Sequence, residues 1–108
     1  MNFLRKHIHS LVNLEKKIDR QDFILKQTHE KGVRVLHLME ELEQFIIKNL
    51  GEQKGQEYIE TFLRDDLAFI NSRISMNEFD TVEAKIHKIR AEAERIFLTH
   101  SKVAYAPR

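Results

Sequence analysis

With six histidines, seventeen acidic residues and no cysteine, this chain has imidazole and carboxylate chemistry open to it, and thiolate chemistry closed. Glu15, Asp22 and His29 fall seven residues apart, on the same helical stripe as Leu4, Ile8, Leu11 and Ile18. Asp66 falls among the apolar positions of a later segment, and His100 among those of the last. Carboxylates and imidazoles projecting inward from several helices are the donor set with which a helical bundle holds iron, manganese or zinc. The competing reading treats all five as solvated residues at the edges of apolar stripes, where packing opens. That reading is favoured, so no catalytic residue, cofactor or metal ligand is assigned.

Four spacings invite comparison with known helical families, and each departs from the pattern. Di-iron carboxylate bundles use Glu-x-x-His pairs; here Glu83 and His87 stand four apart, with His87 off the apolar stripe. His37 and Glu41 give a His-x-x-x-Glu spacing similar to that of hemerythrins, but His37 lies opposite the apolar face of its helix. The run His29-Glu30-Lys31-Gly32 resembles the phospho-acceptor motif of histidine phosphotransfer domains, which place Lys three and Gly four positions after the histidine. Lys31 is only two positions on, roughly 200° round a helix, so it points away from His29. Arg95 and His100 are similar to the Arg-x4-His pair of helical nucleases of the HEPN type, which would imply an RNA-acting bundle. On one continuous helix the two side chains diverge by about 140°. His7 and His9, beside Arg5 and Lys6, make a small basic cluster of the kind that usually solvates a helix start. There is no Gly-rich phosphate loop and no Gly-x-Ser-x-Gly elbow.

The elements that would position these residues are helices. Three Gly and one Pro are too few for the many turns of a β fold. Apolar residues recur at helical spacing throughout. Leu4, Ile8, Leu11, Ile18 and Leu25 share one face; Val35, Met39, Leu42 and Ile46 share a second, ended by Leu50-Gly51. Gly51 to Gly55 reads as a polar loop. A third helix buries Ile59, Phe62, Leu63, Ile70 and Ile74. Ser75-Met76-Asn77-Glu78 matches a capping box that opens a fourth helix carrying Phe79, Val82, Ile86, Ile89, Ala93, Ile96 and Phe97. Breaking the chain at 28–32, with Gly32 as the breaker, predicts an all-α, up-down bundle of four helices. Leaving it unbroken predicts three, the first long and coiled-coil-like, because Leu4, Leu11, Ile18, Leu25, Met39 and Ile46 keep a heptad register. One domain spans 1–108, with 103–108 a frayed tail.

Eighteen basic residues against seventeen acidic ones, interspersed, argue against a nucleic-acid partner. The apolar runs are too short for a signal peptide or a membrane span, so no membrane partner is expected and the cytoplasm is the expected compartment. The functional expectation is a non-enzymatic helical interaction or regulatory module that binds a protein partner, a second copy in a homodimer included. Its candidate surface is Phe23, Ile24, Leu38 and Ile47, which stand outside the main stripes. The alternatives are a metal- or ligand-binding bundle through Glu15, Asp22, His29, Asp66 and His100, and an RNA-acting bundle.

Overall fold

The computed structural model describes residues 3–105, with side chains through Thr99. The described residues are all-helical, without a strand, and form six helices rather than the expected four: α1 (Phe3–His7), α2 (His9–Arg20), α3 (Lys26–Leu50), α4 (Glu52–Phe62), α5 (Arg64–Ser75) and α6 (Phe79–Tyr105). Of the expected tail, 106–108 lie outside the described residues. None of the described helices is long and apolar enough to cross a membrane.

The count differs because the first and third expected helices each break, at Ile8 and at Leu63. Both break residues are buried, so each break turns an apolar side chain into the core rather than exposing the backbone. Amides at the starts of α1 and α2 find partners on other helices. The Glu43 carboxylate accepts from the Phe3 and Leu4 N–H groups at 2.8 and 2.9 Å, and the Asn71 amide oxygen accepts from Ser10 N–H at 2.8 Å. Such contacts satisfy donors that a helix start leaves without an intrahelical acceptor.

The expected break at 28–32 does not occur there. Gly32 lies inside α3 and is buried; a Cβ on it would meet Leu14 Cδ1 at 3.1 Å and Phe23 Cζ at 3.5 Å. It serves close approach, and packing offsets its helix penalty of about 1 kcal/mol. The chain turns instead at residues 21–25, which excludes the single long first helix. Gln21 takes the left-handed conformation (φ 56°), its N–H donates to Ile18 O, and Asp22 N–H donates to Lys17 O. This is a Schellman stop, made without glycine.

The expected capping box at Ser75 is a second stop of the same kind. Asn77 is left-handed (φ 58°), its N–H donates to Ile74 O, and Glu78 N–H donates to Arg73 O. The Ser75 hydroxyl donates backward to Ser72 O instead of capping α6. The polar loop expected over 51–55 shrinks to Gly51 (φ 84°), with α4 starting at Glu52. Gly55 is buried in α4 because the Ile47 side chain lies over it.

The two halves of the chain are therefore built alike: a broken helix, a left-handed stop, a long helix. Counting back from Gln21 and Asn77, Ile18, Leu14 and Leu11 correspond to Ile74, Ile70 and Leu67. Counting forward, Phe23 corresponds to Phe79. The hairpins lie side by side with equivalent helices parallel. Ser10 meets Asn71 and Lys17 meets Asn77; Lys31 meets Asp80 and Arg34 meets Glu83, each of the last two at 2.8 Å. Thus α2 packs on α5, and α3 on α6, while among the described residues the α2 and α6 backbones, and those of α3 and α5, stand further apart. After α3 the chain folds onto α4 and then passes to α5, across the bundle from α3. The result measures 57 × 21 × 20 Å, with both stops at one end and the α3–α4 corner toward the other.

Candidate functional site

Of the residues singled out for metal binding, the three carboxylates are each held by a different cation. Glu15 accepts from Arg5 at 2.8 Å, Asp22 pairs with Arg20 at 3.1 Å, and Asp66 pairs with Lys85 at 2.9 Å. His29 stands edge-on to the Phe23 ring, 5.3 Å between centroids. The side chain of His100 lies outside the described residues, which leaves the Arg95–His100 pair undescribed; Arg95 itself pairs with Glu92. Among the described residues no group of three or more His, Asp or Glu converges as metal ligands would. Lys31 reaches Asp80, away from His29.

The four residues read as a contact surface are not gathered together. Ile24 is fully exposed in the first turn. Phe23 is half-buried against His29 and Phe79; Leu38 is half-buried against the core; Ile47 covers Gly55. Leu38 and Ile47 are nine residues apart on α3, which puts them on opposite faces. Leu25, expected in the first apolar face, falls beyond the turn and is exposed.

An apolar concavity lies elsewhere, where the end of α3 meets α4 and α6. Asn49, Leu50, Lys54, Tyr58, Phe62, Ile96 and Phe97 line a groove of about 560 Å³. Two chain features produce it. The Gly51 corner folds α4 back onto α3, and Tyr58 and Phe62, four apart on α4, stand on one face beside the late turns of α6. Tyr58 is the floor: its ring lies 5.3 Å from that of Phe62 and 5.2 Å from that of Phe97. Phe97 stacks in turn on Phe45 at 5.7 Å, and the Arg90 guanidinium lies over the Phe45 ring at 4.2 Å. Phe62 was expected in the core but is 68% exposed: Ile59, Leu63 and Leu67, four apart, form the buried line, and Phe62 stands about 100° from Leu63, on its flank. Burial pushes the Tyr58 hydroxyl above its ordinary pKa, with the negative charges of Glu92 and Asp66 adding to the effect. Tyr58 therefore stays neutral. Lys54 at the rim holds no ion pair among the described residues.

The sequence held a partial signal for this groove. Tyr58 and Phe62 are an aromatic i, i+4 pair, but Phe62 also fits the apolar stripe, and nothing in the pattern marks Leu63 as a break. Glu43 was equally readable, as a carboxylate four residues after Met39 and three before Ile46 on the apolar stripe of α3. The chain matches no protein-family model, no curated protein and no solved structure.

Proposed function

We propose that this protein is a non-enzymatic helical interaction module that receives an apolar side chain of a partner protein in the groove between α4 and α6. One observation carries the reading: Phe62 stands 68% exposed on a concave aromatic surface whose other rings are packed and fixed. A large aromatic left in water beside a preformed pocket is the usual anchor of a protein contact. The volume suits one or two aliphatic side chains of an amphipathic helix, the mode in which a partner lays its apolar face into a groove. Lys54 at the rim favours an acidic residue next to that anchor.

A displayed library of helical peptides, selected on wild type and on Phe62→Glu, tests the proposal. Wild type should enrich sequences with an aliphatic anchor flanked by Asp or Glu. Phe62→Glu should bind them on the order of 100-fold more weakly, as truncated interface anchors do. Binders that hold wild type and Phe62→Glu equally well would place the contact surface elsewhere.

A further inference from the structure

A second surface lies on the outer side of the second hairpin. Phe62, Phe69 and Met76 are seven residues apart and all exposed. Because Leu63 N–H donates to Ile59 O and Leu67 N–H to Leu63 O, the helical register carries across the break, and the three form one stripe about 21 Å long on α4, α5 and the turn after it. Between them on the same face stand Asp65, four residues before Phe69, and Arg73, four residues after it. The order is apolar, acidic, aromatic, basic, apolar, and it is symmetric in spacing about Phe69. If the stripe is laid against itself antiparallel, Phe69 meets Phe69, Phe62 meets Met76, and Asp65 meets Arg73, twice over. A two-fold interface needs that self-complementarity, and a contact between unlike surfaces does not produce it.

We infer that α5 is a homodimer contact, in which a second copy of this chain packs antiparallel along the stripe with Phe69 on the two-fold axis. Asp65 holds no ion pair among the described residues. Arg73, whose Nε is buried, donates through Nη1 to Glu78 at 3.3 Å, an ion pair that the second copy's Asp65 would join at the partly exposed end of the guanidinium. The Arg73 guanidinium and the Lys85 ammonium flank Phe69 at 5.1 and 5.4 Å, fixing its ring on the surface. Three apolar side chains, the central one only 37% exposed, make a contact smaller than a stable dimer interface, so the dimer is weak and in fast exchange. It shares only Phe62 with the groove and does not depend on that reading.

Sedimentation of the full chain from about 10 µM to about 1 mM covers the affinity such a patch reaches. The weight-average mass should rise from 12.9 kDa toward twice that value. Phe69→Glu should stay monomeric. Asp65→Arg and Arg73→Asp should each weaken association at least tenfold when alone. Mixed one to one, they should associate with each other, because each then supplies the charge the other lacks. Helical circular dichroism checks that each variant folds. A wild type monomeric throughout, or a Phe69→Glu variant that still dimerises, would overturn the assignment. So would association that is lost in Phe97→Ala but kept in Phe69→Glu, since the groove would then be the self-contact.

Discussion

Gln21→Gly should stabilise the protein, although glycine is the second-worst helix former. Gln21 holds a left-handed φ of 56°, which costs a side-chain-bearing residue about 1–2 kcal/mol. Its side chain is exposed, and no hydrogen bond or ion pair holds it. Glycine removes the strain and returns about 0.4–1 kcal/mol of it as extra freedom of the unfolded chain. The expected net gain is about 0.5–1 kcal/mol, seen as a rise of about 3–5 °C in thermal midpoint. Asn77→Gly, at the equivalent stop, should be close to neutral: asparagine tolerates the left-handed region, and the change also gives up the Lys17 hydrogen bond at 3.1 Å. Gln21→Val should be destabilising, since a β-branched side chain fits that region worst. Urea melts of the three variants supply the comparison. If Gln21→Gly instead loses about 1 kcal/mol, the cost of glycine inside a helix, then residue 21 belongs to a continuous helix and the paired-hairpin description fails.

Two further outcomes follow from buried polar groups. Glu43→Ala should cost about 2–3 kcal/mol, because two amides lose a charged acceptor inside the core, and hydrogen exchange at Phe3 and Leu4 should become fast while α3 stays protected. Tyr58, with its pKa raised by folding, contributes stability that is fully present below the ordinary tyrosine value near 10 and is lost as pH rises through the folded value. Urea midpoints should therefore fall above about pH 10, and Tyr58→Phe should remove that part of the fall.

What was legible in the sequence was the set of buried faces. Val35, Met39, Leu42 and Ile46 share the inner face of α3, and Phe79, Val82, Ile86, Ile89 and Ala93 that of α6, as their spacing requires. The turns were not legible, because both stops lack glycine: Gln21 and Asn77 adopt a conformation that local sequence rarely demands, held by tertiary packing around Phe23 and Phe79. The glycines misled for the complementary reason. Gly32 and Gly55 sit where helices approach closely, so the residues read as breakers are contact points. Phe62 was misplaced because, three residues after Ile59, it fits the apolar stripe, while the buried line runs beside it through Ile59, Leu63 and Leu67.

The pairing of the halves explains why the exposed stripe lies on α5 and not on α2. When two like hairpins stack in parallel, each has one face inside and one outside. The first hairpin turns its outer side to water with residues such as Asn13, Lys16 and Arg20 on α2. The position equivalent to Asn13, counting from the two stops, is Phe69. One outer face has thus become polar while its counterpart keeps an aromatic flanked by opposite charges. Solubility alone would favour asparagine at both positions; Arg73 and Lys85 cover part of the Phe69 ring within the chain, and the proposed dimer would cover the rest. Exchanging the two residues, Asn13→Phe with Phe69→Asn, should move self-association off α5 without restoring it on α2, because α2 lacks the acidic and basic pair at four residues on either side: His9 and Lys17 stand there, and neither is acidic. A dimer of undiminished affinity in that double variant would show that Phe69 and its flanking charges are not what the second copy reads.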